Sequence, residues 1–152
     1  MHFRPLVALA LFSFISACDL INPSPMVNLT DAEAYEIYNG CKEEASCAVP
    51  KYLAATFQKN AGTSLDEGVI LRGGRIVGNR TIFEVDTTEE LGLIWATQSE
   101  ARNFEEDILD LMRADYCDGD AVEEYINSGN QIEFRLYLPS GKLFSNSALT
   151  QC

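Results

Sequence analysis

The stretch GVILRGGRIVGNRTIFEVDT, residues 68–87, decides the fold. Its β-branched and aromatic residues fall in runs: Val69-Ile70-Leu71, Ile76-Val77, then Ile82, Phe83 and Val85. The pairs Gly73-Gly74 and Gly78-Asn79 punctuate them. Side chains of these types suit a pleated, half-buried surface, and Gly-Asn tolerates the positive φ of a tight hairpin turn. The spacing predicts strands turning at Gly78-Asn79, with Gly73-Gly74 as a bulge or a further turn.

Downstream, Ile132, Phe134, Leu136 and Leu138 alternate with Glu133, Arg135 and Tyr137 up to Pro139-Ser140-Gly141, and residues 143–152 return. This reads as a second hairpin. Between the hairpins, Thr97 with Glu100 forms a capping box, and Ala101, Phe104, Ile108, Leu111 and Met112 mark one face of a helix ending near Tyr116. Glu105, Glu106 and Asp110 lie on its other face. Asp120 with Glu123 then caps a short helix through Val122, Tyr125 and Ile126, stopped by Gly129. Residues 89–96 stay open: Leu91, Leu93 and Trp95 alternate as a strand would, whereas Thr87 and Glu90 suit a helix cap.

Upstream, Thr30 and Glu33 make a capping box with Leu29 placed to staple onto Ala34, and Tyr35, Tyr38 and Cys41 form an apolar stripe with Ala34 and Ile37 beside it. A second helix is expected from about Pro50 through Leu53 and Phe57 toward Gly62. The order α-α-β-β-α-α-β-β predicts an α+β domain with helices packed on one face of a small antiparallel sheet. Residues 29–152 are enough for one hydrophobic core.

The 152 residues carry 11 basic and 23 acidic side chains, a net charge of −12. Such a balance makes nucleic acid and anionic lipid surfaces poor partners. Five cysteines stand at Cys18, Cys41, Cys47, Cys117 and Cys152. The last four form an even set whose spacings contain no Cys-x-x-Cys pair, so disulfides are favoured over metal. Cys41 with Cys47 and Cys117 with Cys152 are the pairs expected to join neighbouring segments. Six residues along an unbroken helix rise ~9 Å, too far for a disulfide, so the first pair requires a helix break between its members.

Cys18 is set apart by its context. Arg4 precedes an uncharged apolar run, Leu6 to Ile15, too short to span a bilayer as a helix. The run closes with Ile15-Ser16-Ala17-Cys18, which resembles the lipobox of bacterial lipoproteins. The resemblance covers the leader alone and implies that residues 1–17 are a signal peptide and that Cys18 is lipidated. Without the leader, 10 basic and 23 acidic residues remain, a net charge of −13. Asp19 to Pro25 holds two prolines and reads as an extended segment of about 20 to 30 Å at ~3.1 Å per residue, within a tether over residues 18–28. The resemblance further implies a domain on the periplasmic side, held to the membrane by its lipid. In enterobacterial lipoproteins an aspartate after the lipidated cysteine implies the inner membrane, so Asp19 favours that membrane over the outer one.

The sole histidine, His2, leaves with the leader. Ser-His-Asp and Cys-His chemistry is thereby excluded from the mature chain, and no histidine ligand remains for zinc or haem. Asp115, Asp118 and Asp120 cluster near Cys117, but their spacing does not match a calcium-binding loop, and helix termination explains them. Neighbouring acids such as Glu105 and Glu106, or Glu123 and Glu124, point in different directions from a helix and form no natural hydrolytic dyad. Ser140 and Lys142 share a turn, a poor place to hold a nucleophile and base. Asn28-Leu29-Thr30 and Asn79-Arg80-Thr81 match glycosylation sequons, which a bacterial chain usually leaves unmodified.

Arg72, Arg75 and Arg80 make a basic patch on an acidic protein. They read either as a solvated strand face or as a docking patch for an acidic partner, since arginine binds carboxylates bidentately. The sequence thus predicts a lipid-anchored, disulfide-stabilised binding or assembly module with an envelope protein as partner and no cofactor. The competing reading is an envelope hydrolase using carboxylates or a Ser/Lys pair.

Overall fold

The computed structural model describes residues 26–66, 68–88 and 98–152. Its elements are α1 (Asp31–Cys41), α2 (Ala45–Lys59), β1 (Ser64–Asp66), β2 (Val69–Val77), β3 (Arg80–Thr87), α3 (Gln98–Tyr116), α4 (Asp120–Asn127), β4 (Gln131–Tyr137) and β5 (Leu143–Leu149). The strands form one sheet in the order β1-β2-β3-β4-β5. Residues 89–96, left open by the sequence, and Thr97 lie outside the described residues, as do the side chains of Glu100, Ala101 and Phe104.

The sheet is mixed, which corrects the antiparallel expectation. The two hairpins are antiparallel, but β3 and β4 run parallel, from Arg80↔Gln131 to Asp86↔Tyr137. The reason is the connection. A chain that leaves β3 and comes back through two helices enters β4 from the same end, and a crossover of that length makes parallel neighbours. The additional strand β1 is short, with Ser64 opposite Ile70 and Asp66 opposite Val69.

Side chains alternate along the strands and so divide the sheet into two faces. On one, Val69, Leu71, Phe83, Val85, Ile132, Phe134, Leu136 and Leu149 are buried beneath the helices. Helix α2 crosses β2 and β3, α3 lies over β5, and α4 contacts both α2 and β4. Helix α1 packs on α2. The rings of Phe57, Phe83 and Phe134 form a file with successive centroids 4.9 Å apart. Gly74 makes room for it, because a Cβ there would sit 2.6 Å from Cβ of Phe57. The bulge between Leu71 and Gly73 sets this glycine, and not Gly73, opposite Phe83.

The capping box at Thr30 forms, with Glu33 N–H donating to Oγ1 of Thr30 and the Glu33 carboxylate accepting from the Thr30 backbone N–H. The stripe on α1 is not a core face: Tyr35 is 70% exposed and Tyr38 40%, and only Cys41 is buried. Helix α2 begins at Ala45, five residues before Pro50, which lies inside the helix. Proline has no N–H to give to the carbonyl of Ser46, so α2 lacks that bond in its second turn, while the Pro50 ring itself is buried. Asp120 is the first residue of α4 and not its cap; Gly119 holds that position without a side-chain bond.

Met26 belongs to the core, and the side-chain amide of Asn60 accepts from the Val27 N–H and donates to the Val27 carbonyl. Residues 26–28 therefore pack with the domain. Lys59 adds a bond to the Asn28 carbonyl at 3.2 Å and an ion pair with Glu33 at 2.8 Å.

Cys41 is bonded to Cys47 with a Cα separation of 5.4 Å, and Cys117 to Cys152 with 5.5 Å. The helix break needed by the first pair lies at Lys42 and Glu43, both at positive φ (52° and 64°). The second pair ties the end of α3 to the chain segment that follows β5. With sequence separations of 6 and 35 residues, the chain-entropy model gives about 2 and about 4 kcal/mol respectively. Replacing Cys117 and Cys152 by serine should accordingly lower the melting temperature more than replacing Cys41 and Cys47. Calorimetry of the two double variants checks this order, and the reverse order would contradict it.

Candidate functional site: the open face of the sheet

The face of the sheet turned away from the helices is built by the alternate residues of the same strands. Arg80, Ile82, Glu84 and Asp86 come from β3, with Gln131, Glu133, Arg135 and Tyr137 from β4. Strand β2 adds Ile70, Arg72, Arg75 and Val77, and β5 adds Asn146 and Ala148. The face is a lattice of cross-strand ion pairs. Both Nε and Nη2 of Arg72 bond the Asp86 carboxylate, and Arg75 holds Glu84 in the same two-point way at 3.3 and 3.1 Å.

Glu133 is shared. Nη1 of Arg80 lies 3.2 Å from its Oε2, and Nε of Arg135 lies 2.6 Å from its Oε1. Glu133 is 2% exposed and its neighbour across the seam, Ile82, 0%. Register explains their burial on an otherwise exposed face: Ile82 stands opposite Arg75 on one side and Glu133 on the other, with Arg80 and Glu84 two residues away along its own strand. Long charged side chains cover an apolar residue with their stems while their heads reach water.

Tyr137 binds the lattice together. Its hydroxyl donates to Oε1 of Glu84 at 2.7 Å, and the Arg72 guanidinium sits 4.0 Å above its ring centroid, a cation–π contact. Partial burial works to raise the Glu84 pKa, but hydrogen bonds from Arg75 and Tyr137 outweigh it and hold the carboxyl below its ordinary value. Burial likewise opposes the charge on Arg135, and the bonds to Glu133 and Tyr137 reverse that and raise its pKa.

The three arginines singled out in the sequence therefore share one face, and each already has a carboxylate. Arg135, Glu84, Asp86, Glu133 and Tyr137, to which the sequence alone assigns no site role, complete the arrangement. Their signal is the polar phase of the alternation in residues 131–137, which becomes informative once β4 is placed beside β3. The other sequence candidates do not gather. Cys41 and Cys47 lie at the α1–α2 break, far along the chain from Cys117 and Cys152. Asp118 and Asp120 are exposed, while burial raises the pKa of Asp115. Among the described residues no group of three or more His, Cys, Asp or Glu is placed to hold a metal ion. Glu105, expected on an exposed helix face, is half-buried and accepts a hydrogen bond from Ser145 at 3.1 Å. Ser140 and Lys142 are exposed, and it is the lysine's backbone N–H that meets the serine hydroxyl, at 3.4 Å.

Two clefts flank α1. One of about 410 Å³ is lined by Leu29, Glu33, Lys51 and Lys59 among others, and one of about 340 Å³ by Tyr35, Tyr38 and Lys42 with their neighbours. In the first, the Lys59 ammonium holds Glu33 down to a pKa of about 2, helped by the Thr30 backbone.

No family model and no curated protein matches the sequence. Among solved structures the chain is similar to a provisionally assigned secreted protein of Pseudomonas aeruginosa, with a TM-score of 0.52 and 8% identity over 80% of this chain and 95% of that one. At that identity the likeness is one of fold alone. Two disulfides are compatible with a secreted or envelope protein. Among the described residues no helix is long and apolar enough to cross a membrane.

Because Glu84 has a lowered pKa in the fold, its contribution to stability is full above 4.5, its ordinary value, and is lost as pH falls through the folded value. Tyr137→Phe removes one of the donors that lower it. A carboxyl-carbon NMR titration should show Glu84 titrating higher in the variant than in the wild type. Identical curves would mean that the hydroxyl does not bond the carboxylate.

Proposed function

We propose that the protein is a lipid-anchored, disulfide-stabilised envelope module that binds a protein partner through the open face of its sheet and performs no catalysis. The observation that carries this reading is the lattice itself. It offers arginine and tyrosine, residues enriched at the centres of protein interfaces, side by side on one sheet face. Exposed apolar side chains border it: Ile70 is 37% exposed and Val77 37%. Two disulfides and the fold shared with a provisionally assigned secreted protein support the extracytoplasmic part of the reading. The sequence Ile15-Ser16-Ala17-Cys18 supports the lipid anchor, and Asp19 supports the inner membrane. Modules of this kind act as pilots, assembly factors or immunity proteins.

Labelling of cells with a fatty-acid analogue tests the anchor: the wild type takes the label and Cys18→Ala does not. In the same cells, photo-crosslinking residues at Val77 and Asn146 on the open face should each trap one and the same discrete protein, whereas Lys51 and Glu106 on the helical side should not. Equal labelling of both forms removes the anchor. A single partner trapped from the helical side, with none from the sheet, moves the interface elsewhere.

A further inference from the structure

The lattice is not electrically balanced. Arg72 with Asp86 and Arg75 with Glu84 are neutral pairs, but two guanidiniums, Arg80 and Arg135, converge on the single carboxylate of Glu133. The face thus carries four arginines against three carboxylates, or +1. The chain without its leader carries −13, so everything outside this face sums to −14. The excess cation has a fixed place. Each Glu133 oxygen already takes one guanidinium nitrogen, at 3.2 Å from Arg80 and 2.6 Å from Arg135. A guanidinium has five N–H donors, so both arginines keep donors that Glu133 does not use. The Arg80 side chain is 38% exposed and that of Arg135 19%, and the buried acid between them fixes their positions in advance.

We propose that the Arg80–Glu133–Arg135 triad receives one carboxylate side chain of a protein partner that is basic over the rest of its contact surface. This deepens the docking reading of the open face and rests on it. A second carboxylate would bring the triad to two cations and two anions and complete it by charge-assisted hydrogen bonds, the strongest kind available to planar guanidinium. The partner's basic remainder follows from the −14 carried elsewhere, which repels an acidic protein and steers a cationic one. Negative bilayers and polyanions are disfavoured by the same charge. Arg72 and Arg75 serve as the rim, each already neutralised. Val77 opposite Arg80, and Ala148 opposite Glu133, supply apolar contact around the incoming acid.

The test uses the mature chain and three probes at fixed ionic strength: the acetylated peptide amide Lys-Lys-Glu-Lys-Lys, the same peptide with glutamine at its centre, and inorganic phosphate. Side-chain Nε–Hε NMR signals of the arginines report where each probe sits. The glutamate peptide should shift the Arg80 and Arg135 signals saturably, and the glutamine peptide should not. Arg80→Gln, which leaves the Arg135–Glu133 pair in place, should weaken the glutamate peptide about tenfold, the weight of one charged hydrogen bond. Equal shifts with both peptides, or shifts spread over Arg72 and Arg75 as well, would overturn the proposal. Phosphate binding as tightly as the glutamate peptide would reassign the triad to phosphate and overturn it too. Any of those results would still leave crosslinking from Val77 and Asn146 to decide whether the open face docks a partner at all.

Discussion

The parallel pairing of β3 with β4 is the constraint on which the rest of the structure depends. Each side of that seam is a helix followed by its own strands, α2-β1-β2-β3 on one side and α4-β4-β5 on the other. A two-stranded hairpin is marginal by itself in water, and three or more strands with an apolar face are needed for stability. The seam joins the two hairpins into a sheet wide enough to support the helices. It also aligns both faces at once, because a given register fixes which side chains meet. Phe83 lies opposite Phe134 on the helix side, and Ile82 opposite Glu133 on the open side. Thr81 and Tyr125, hydrogen-bonded at 2.9 Å in the interior, tie α4 back to β3 and brace the crossover.

Stability and binding divide between the two faces. The helix side holds the aromatic file and the apolar core, where losing a large side chain costs about 3–5 kcal/mol. On the open side, the Arg72–Asp86 pair is exposed at both ends and contributes about 0–1 kcal/mol, while Arg75–Glu84 joins an exposed arginine to a largely covered carboxylate. Glu133 differs, since it is buried, and removing its partners strands a charge in the interior at about 3–5 kcal/mol. One carboxylate at the seam is thus both part of the fold and the holder of the two arginines beside it.

Much of the fold was legible in the residues. The Thr30–Glu33 capping box, the Gly78-Asn79 turn and the two hairpins each rest on local chemistry that acts within a few residues. The disulfide pairs follow from which segments lie near each other. What stayed hidden was set at long range. The direction of β4 relative to β3 depends on where two helices bring the chain, and no residue within either strand records it. Tyr35 and Tyr38 have the spacing of a core stripe, yet α1 is packed on another helix and leaves Tyr35 exposed. Pro50 looked like a helix start because its ring suits a first turn, but the break at Lys42 and Glu43 lets the helix begin earlier. The three arginines on and beside β2 were visible as a patch. Their carboxylates were not, because Glu133 stands 53 residues from Arg80 and becomes its neighbour only through the seam.

Native-state hydrogen exchange tests the role of the seam most directly. If β3 and β4 are the joint on which both faces depend, their paired amides, from Arg80 opposite Gln131 to Asp86 opposite Tyr137, should exchange last and together, through opening of the whole domain. Exchange of the β4 and β5 amides through a separate, lower-energy opening, with α2, β2 and β3 still protected, would contradict it: the two sides of the seam would then stand independently, and the open face would not be one surface.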